Sequence, residues 1–245
     1  MFMQAMIFSA GLGSRLYPLT KDIPKALAPF GNETLLSYNL KFLAAQGIKK
    51  FFINTHHFAG KIEEYLTKNN FFGLDINISY EKELLDTAGG LAKIKDKITE
   101  KQILLFNVDI ITNIDINKML QYHIDNGASA TVAVRQRDTS RYLLFDENNT
   151  MTGWKNVKTG EQILCNTKNT SQSLAFSGIS ILNKDILTLL DDKPKKKSLI
   201  SFFLELCQNQ KIRAYSHDDD FWFDCGTIEK LNKAYTFIIE KELKK

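Results

Sequence analysis

The sequence predicts an α/β fold built on a doubly wound, mostly parallel sheet that becomes mixed in the second half of the chain. Apolar runs of strand length alternate with amphipathic helical patterns through the first half, and this order is typical of βαβ units. The runs are short and almost uninterrupted, as expected for strands that are buried on both faces. A glycine-rich segment follows the first run directly, where an open α/β sheet binds its ligands.

The first half of the chain is expected to alternate strand and helix. Leu36, Leu40 and Leu43 give the first helix a buried face, and Asp115 is placed to cap the third helix. The predicted strands are Met3–Ser9, Lys50–Asn54, Ile76–Tyr80 and Ile103–Asn107, and the predicted helices are Leu35–Gln46, Gly60–Asn69 and Asp115–Asn126.

The second half is less regular and predicts the mixed part of the sheet. A polar stretch at Asn148–Ser173 indicates a hairpin with a loop. No linker or internal repeat divides the chain, so we expect a single domain over residues 1–245, without a C-terminal hexapeptide-repeat domain. The predicted strands are Ser129–Arg135, Tyr142–Phe145, Leu174–Leu182 and Ile212–Tyr215, and the predicted helices are Ser198–Cys207 and Ile228–Lys241.

Composition and charge exclude several classes of protein. The net charge of +4 is mild, and the lysines of Lys193–Lys197 and Lys244–Lys245 are expected to form solvated surface rather than a nucleic-acid patch. No apolar run is long enough to cross a bilayer. We therefore expect a cytoplasmic protein with no nucleic-acid and no membrane partner, and the sequence is compatible with a homo-oligomer.

The three cysteines, Cys165, Cys207 and Cys225, are far apart and odd in number. Their spacing fits neither a zinc site nor a secreted disulfide framework. This pattern indicates free thiols in a reducing compartment.

The segment after the first strand predicts a phosphate-binding loop. Ala10, Gly11 and Gly13 let the backbone approach a ligand and turn its N–H groups toward anionic oxygens. Arg15 can fork onto two phosphate oxygens, and Lys25 adds a compact positive charge. Such a combination suits a nucleoside triphosphate.

Two familiar glycine loops do not fit this segment. A dinucleotide fingerprint needs a small residue at the position of Leu16, and its loop opens directly into a helix. Here Pro18 and Pro24 hold an extended loop instead. A Walker loop would place Lys-Ser or Lys-Thr directly after its last glycine, and this segment does not.

Asp109 is a candidate for a metal site, whereas the position of Asp224 is more typical of a helix cap. Asp109 follows the strand Ile103–Asn107, on the edge where the glycine loop is expected, and a carboxylate there can hold a magnesium ion against phosphate oxygens. Asp224 lies in an aromatic segment just before the last helix. Either residue could instead cap a helix or loop, although Thr227 is available to cap the last helix.

Several segments in a common order resemble the sugar-1-phosphate nucleotidyltransferases, in particular their short bacterial branch. That branch includes N-acetylmuramate-1-phosphate uridylyltransferases and proteins labelled mannose-1-phosphate guanylyltransferase. The resemblance implies a Rossmann-like nucleotidyltransferase fold that spans nearly the whole chain. The matching segments are Ser9–Pro29, Leu85–Gly90, Asn107–Asp109, Phe176–Ile179 and Trp222–Thr227. Of these, Leu85–Gly90 is expected to form a turn whose backbone lies close to the base.

The resemblance also implies roles for individual residues. It makes Arg15 and Lys25 the catalytic cations, and Asp109 and Asp224 the carboxylates that bind Mg²⁺. It places the nucleotide, the metal and the sugar 1-phosphate in one active site. The nucleotide would contact Ala10, Gly11, Gly13, Glu81, Thr87 and Gly89, and the sugar phosphate would contact Gly178 and Lys155.

Two positions depart from the family pattern. Val108 replaces the usual glycine before the first metal carboxylate, and the Glu-Lys-Pro element that contacts the sugar phosphate is missing, so that Lys155 or Lys158 would have to take its place. We expect UTP and an amino-sugar 1-phosphate such as N-acetylmuramate 1-phosphate as substrates, with GTP and mannose 1-phosphate as the next choice. A choline-phosphate cytidylyltransferase and a non-catalytic nucleotide-sugar-binding subunit are the remaining alternatives.

Overall fold

A computed structural model describes residues 3–165 and 169–243 of the chain. The chain folds into two compact units. The first takes in the described residues up to Leu84, together with Phe106–Asn113 and the residues from Phe221 onward, and the second takes in Leu85–Leu105 and Ile114–Asp220. Neither unit is one continuous stretch of sequence, which explains why no linker marks a boundary between them.

The helices and strands follow the predicted order closely. The α-helices are α1 Leu35–Ala45, α2 Ala59–Lys68, α3 Asp86–Ala92, α4 Ile116–Asp125, α5 Leu199–Leu206 and α6 Ile228–Glu242. The strands are β1 Gln4–Phe8, β2 Pro29–Phe30, β3 Glu33–Thr34, β4 Lys50–Thr55, β5 Asp75–Tyr80, β6 Gln102–Asn107, β7 Ile110–Thr112, β8 Ala130–Arg135, β9 Arg141–Phe145, β10 Met151–Asn156, β11 Glu161–Leu164, β12 Gln172–Asn183, β13 Ile212–Ser216 and β14 Trp222–Asp224.

Parallel strands form the core of the first unit. Strand β1 pairs with β4 and β4 pairs with β5, both in parallel, so the carboxyl ends of these strands share one edge. The phenyl rings of Phe51, Phe52 and Phe106 are fully buried in this unit. A short antiparallel pair, β7 with β14, sets Asp224 opposite Ile110. This pair brings the last motif of the chain beside the end of β6.

Antiparallel strands dominate the second unit. Strand β12 pairs with β8 and β9, β10 pairs with β9 and β11, and only β13 runs parallel to its partner β8. The β8–β12 register shifts between Phe176 and Ser180, and Gly178 at this bulge has a φ of 78°. A side chain would be strained there, which accounts for the glycine.

The predicted α/β class with parallel and antiparallel strands is confirmed, and so are the helix caps expected from the sequence. The Asp115 side chain accepts the Lys118 N–H, and the Thr227 side chain accepts the Lys230 N–H. No helix within residues 3–165 and 169–243 is both long and apolar enough to cross a membrane. Lys193, Lys195 and Lys196 are exposed as expected, and Lys244–Lys245 lie outside the described residues.

Two expectations about local structure were wrong. The segment around Thr87 was expected to be a turn, but Asp86–Ala92 forms helix α3, which begins at Asp86 with a φ of 60°. Two of the cysteines were expected to be free, but Cys165 and Cys207 form a disulfide with their Cα atoms 5.7 Å apart. The β10–β11 hairpin returns Cys165 to the end of α5, across 42 positions of sequence, and cysteine spacing alone gives no sign of such a contact.

Candidate functional site

The glycine loop is fixed at its second glycine and open at its first. The Gly13 carbonyl accepts the Leu16 N–H at 2.9 Å and the Thr20 hydroxyl at 2.8 Å, and Gly13 has a φ of 66°. A Cβ atom at Gly13 would lie 3.0 Å from the Cβ of Lys25, so glycine allows the loop to pack on that lysine. No atom lies within 4 Å of the corresponding position at Gly11. Gly11 therefore offers open backbone to a ligand.

Lys25 and Asp109 form an ion pair inside the first unit, and each side chain is 14% exposed. Lys25 begins a short 3₁₀ turn after Pro24, and Asp109 lies between β6 and β7. The Asp109 carbonyl accepts the Cys225 N–H at 2.8 Å. This backbone hydrogen bond connects the turn that contains Asp109 to the segment that contains Asp224.

Asp224 lies close to Arg15 across Gly226. A Cβ atom at Gly226 would lie 2.8 Å from Oδ1 of Asp224 and 2.9 Å from Nη2 of Arg15. The same carboxylate accepts the Gly226 N–H at 3.0 Å, and its Oδ2 is 3.6 Å from Nζ of Lys230. The absence of a side chain at Gly226 therefore lets a cation and a carboxylate approach each other at the end of β14.

The pKa of the buried Cys225 thiol depends on the charged groups around it. Burial raises its pKa to about 12, and the carboxylates of Asp109 and Asp224 add to the increase, while Lys25 and Lys230 oppose it. Both carboxylates and both lysines thus act on the same point in the structure. The thiol stays protonated at neutral pH, so Cys225 is not a thiolate nucleophile there.

The donor set of Asp109 and Asp224 suits magnesium. This ion commonly takes one or two carboxylates from the protein and completes its shell with water and substrate phosphates. Among the described residues there is no group of three or more His, Cys, Asp or Glu side chains that could enclose a metal. The two aspartates therefore fit a metal that is held jointly with substrate oxygens.

Glu81 lies behind the glycine loop rather than on its open side. The side chain of Glu81 is fully buried, and its Oε1 accepts Nδ2–H of Asn54 at 2.8 Å. Oδ1 of Asn54 in turn accepts the backbone N–H of Ser9 at 2.8 Å. Ala10, the next residue, is also buried. The Glu81 carboxylate therefore contacts Asn54, which lies near the end of β4.

Thr87 and Gly89 belong to the second unit and contact the chain before α5. The Thr87 hydroxyl accepts the Leu199 N–H at 2.8 Å. Gly89 is buried in α3, and a Cβ atom on it would lie 2.2 Å from the carbonyl oxygen of Lys195. The helix therefore approaches this backbone so closely that only glycine fits at position 89.

The two residues predicted for the sugar phosphate also lie in the second unit. Lys155 is half-buried on β10, with its Nζ 5.6 Å from the ring centroid of Tyr142 on β9. Tyr142 helps to line a polar cavity of about 550 Å³, with Gln136, Arg137 and Gln172 among its other walls. Gly178 is buried at the bulge of β12.

The structure thus groups Ala10, Gly11, Gly13, Arg15, Lys25, Glu81, Asp109 and Asp224 in the first unit, and Thr87, Gly89, Lys155 and Gly178 in the second.

Sequence reasoning missed two contributors. Asn39 on α1 donates from Nδ2 to the Val108 carbonyl at 2.8 Å and so holds the peptide before Asp109. Lys230 on α6 approaches Asp224, and its position one turn after the Asp224–Thr227 motif was the available signal.

Comparisons with known proteins identify the family of the chain. A family model described as nucleotidyl transferase matches residues 4–241. A D-glycero-alpha-D-manno-heptose 1-phosphate guanylyltransferase from Campylobacter jejuni is 32% identical over 240 residues, which cover 97% of this chain and 99% of that protein. A protein of the same name from Aneurinibacillus thermoaerophilus is 35% identical over 141 residues, and the match covers 57% of this chain but only 61% of that relative.

Solved structures give the same fold. HddC from Yersinia pseudotuberculosis superposes with a TM-score of 0.78 at 22% identity, over 96% of this chain and 99% of that one. At this level of identity the likeness supports the fold alone.

Proposed function

Since the chain belongs to the nucleotidyl transferase family, we propose that it transfers a nucleotidyl group from a nucleoside triphosphate to a sugar 1-phosphate and releases pyrophosphate. The observation that carries the proposal is the pairing of two cations with two carboxylates beside the glycine loop. Lys25 pairs with Asp109, and Arg15 approaches Asp224 across Gly226. The reaction needs positive charge, because it joins two phosphates and expels pyrophosphate, which is also anionic. The carboxylates can contribute by holding a metal cation.

In the proposed reaction, a phosphate oxygen of the sugar 1-phosphate attacks the α-phosphorus of the triphosphate in line. The bond from the α-phosphorus to the bridging oxygen breaks, and the electron pair leaves with pyrophosphate. Arg15 and Lys25 hold the triphosphate and stabilise the negative charge that grows on it. No covalent enzyme intermediate is required, because the attacking phosphate is already a nucleophile.

Asp109 and Asp224 are the residues that would hold Mg²⁺. The ion would neutralise phosphate charge and polarise the phosphorus–oxygen bonds. The ion pair between Lys25 and Asp109 keeps both side chains oriented in the ligand-free protein. Asn39 fixes the peptide on one side of Asp109, and the Cys225 N–H holds the carbonyl of Asp109 itself.

Lys155 is proposed to contact the sugar phosphate. It lies in the segment that corresponds to the Glu-Lys-Pro element of the family that the sequence resembles, and its ammonium group lies over the ring of Tyr142, which lines the polar cavity. Gly178, at the bulge of the neighbouring strand β12, would allow the sugar to approach the backbone. The contact of Thr87 and Gly89 with the nucleotide stays a prediction, because the contacts of α3 described above are with the chain between Lys195 and Leu199.

The relatives described above support guanine as the base and a heptose 1-phosphate as the acceptor, because both are named as heptose 1-phosphate guanylyltransferases. GTP with mannose 1-phosphate, which the motifs also suggested, uses the same base. UTP with N-acetylmuramate 1-phosphate, which the motifs suggested, becomes the second choice. The cytosol stays our proposed location for the protein.

A substrate panel tests the proposal. GTP, UTP, CTP, ATP and dTTP are each combined with heptose, mannose, glucose and N-acetylmuramate 1-phosphates and with phosphocholine, and pyrophosphate release is measured with Mg²⁺. Turnover is expected with GTP and one of the first two sugars. Turnover only with CTP and phosphocholine would replace the proposal with a cytidylyltransferase. Nucleotide-sugar binding without turnover in any pair would indicate a non-catalytic subunit.

A further inference from the structure

Polar side chains meet behind the glycine loop, at the ends of three neighbouring parallel strands. Ser9 follows β1, Asn54 lies near the end of β4, and Glu81 follows β5. All three residues belong to the first unit and are nearly or fully buried, with exposures of 3%, 3% and 0%. Burial of polar groups is costly unless they are hydrogen-bonded, so their arrangement calls for an explanation.

The hydrogen bonds run in one direction through the three residues. The Ser9 N–H donates to Oδ1 of Asn54, and Nδ2–H of Asn54 donates to Oε1 of Glu81, each at 2.8 Å. The Ser9 hydroxyl also donates to the Asn54 carbonyl. A backbone N–H can only donate and a carboxylate can only accept. The residue between them must therefore do both with one planar group, and asparagine does so.

The backbone N–H and the backbone carbonyl of Glu81 both form hydrogen bonds. Its N–H donates to the Thr55 carbonyl at 2.7 Å, and its carbonyl lies 2.9 Å from Nδ1 of His56. These contacts fix Glu81 with respect to β4. The hydrogen bonds of Asn54 to Glu81 and to Ser9 then fix the Ser9 backbone with respect to Glu81. The residue after Ser9 is the first of the glycine loop.

We propose that Glu81 is a positioning residue for the phosphate loop. Through Asn54 it fixes the backbone at Ser9, and so it orients the N–H groups of Ala10–Gly13 before any ligand binds. The inference rests on the proposed function in taking this loop as the triphosphate site. It assigns Glu81 an indirect part in nucleotide binding, in place of a direct contact with the base.

An isosteric exchange of donor and acceptor tests the proposal. Asn54→Asp removes the donor and places two carboxyl groups against each other, whereas Asn54→Asp with Glu81→Gln restores one donor and one acceptor in reversed order. Hydrogen exchange is measured on the ligand-free protein for the peptide that covers residues 9–16. We expect exchange about tenfold faster in Asn54→Asp, as for a lost buried hydrogen bond, and recovery to near the wild-type rate in the double variant.

His123→Leu is the matched control, because it removes buried hydrogen bonds to Thr131 and Asn183 in the second unit. It should lower stability without faster exchange at residues 9–16.

In turnover assays the KM for the triphosphate should rise about tenfold in Asn54→Asp, whereas the KM for the sugar phosphate should stay unchanged.

Unchanged exchange in a folded Asn54→Asp variant would overturn the inference, and so would a double variant no better than the single one. If Asn54→Asp does not fold, Glu81→Leu is measured in the same way, with the same expected increase. Failure of the wild-type protein to use any triphosphate would instead count against the proposed function, and the exchange rates would still decide the role of Glu81.

Discussion

The Lys25 ammonium group and the Asp109 carboxylate neutralise each other in a part of the first unit where each is 14% exposed. Lys25 was expected to bind phosphate and Asp109 to bind metal, and the two residues are 84 positions apart in sequence. Their pairing means that neither charge is left without compensation before substrates arrive. Removing one partner leaves the other as a mostly buried, unpaired charge, and this cost makes the pair testable.

Lys25→Ala should lower kcat/KM by at least ~10²-fold, because a cation that stabilises the transferring phosphates is lost. The melting temperature should also fall, since Asp109 loses its partner. Lys41→Ala is the matched control, because it breaks a surface pair with Glu33 in the same unit. It should change neither quantity appreciably. Near-wild-type turnover in Lys25→Ala would remove this lysine from the active site.

Gly226→Ala should reduce activity more than stability. Its new Cβ would meet Oδ1 of Asp224 and Nη2 of Arg15 at under 3 Å, and the exposed Arg15 side chain can move away at little cost to the fold. Gly60→Ala is the control, because nothing lies within 4 Å of its Cβ position on α2. That control should be slightly stabilising, as alanine is the better helix former. Full activity in Gly226→Ala would show that the proximity of Arg15 to Asp224 is unimportant.

Asp109→Ala and Asp224→Ala should each abolish turnover and Mg²⁺ dependence, because the phosphate charge is then uncompensated. Isothermal titration of Mg²⁺ in the presence of the triphosphate gives a readout independent of turnover, and the affinity should fall in both variants. Asp224→Ala should stay folded, since Thr227 caps α6. Full activity of the wild-type protein in excess chelator would refute the metal role.

His217 should make the stability of the protein sensitive to acid. Burial lowers its pKa from 6.5 to about 4, and the charge of Arg135 acts in the same direction; its Nε2 lies 2.7 Å from the Ser177 hydroxyl. Between these two pH values the unfolded chain binds a proton that the folded chain does not, so stability is complete above pH 6.5 and falls as the pH decreases. Urea unfolding of wild type and His217→Gln across this range should show a shallower loss in the variant. Parallel pH curves would contradict the prediction.

Patterns within one segment of sequence were sufficient for most of the fold. Asp115 and Thr227 were identified as caps because a cap acts on its own helix. Contacts between distant segments were not visible in this way. The Cys165–Cys207 bond and the Asn54–Glu81 hydrogen bond depend on where the chain returns, and neither spacing nor periodicity encodes that. The motifs nevertheless selected Arg15, Lys25, Asp109 and Asp224, which all belong to one unit. The glycine loop and Asp109 could be expected together because each follows a strand of an open α/β sheet, whereas Asp224 was assigned through the family resemblance.

A substitution at Gly89 distinguishes most directly between a role in packing and a role in ligand binding. From the sequence, a side chain at this position was expected to reach the base and lower nucleotide affinity more than stability. In the structure, a Cβ at Gly89 would lie 2.2 Å from the carbonyl oxygen of Lys195, and backbone atoms cannot move aside cheaply. We therefore expect Gly89→Ala to lower the free energy of unfolding by about 1–3 kcal/mol, as in other overpacked sites.

The same variant is titrated with the triphosphate under conditions where it remains folded. If α3 only packs against the segment before α5, affinity should stay near the wild-type value while the melting temperature falls. Thr87→Val provides a second test of α3, because it removes the hydroxyl that accepts the Leu199 N–H and adds no clash with Lys195. A normal melting temperature together with a large loss of affinity in Gly89→Ala would return this glycine to the base pocket and would show that α3 meets the nucleotide directly.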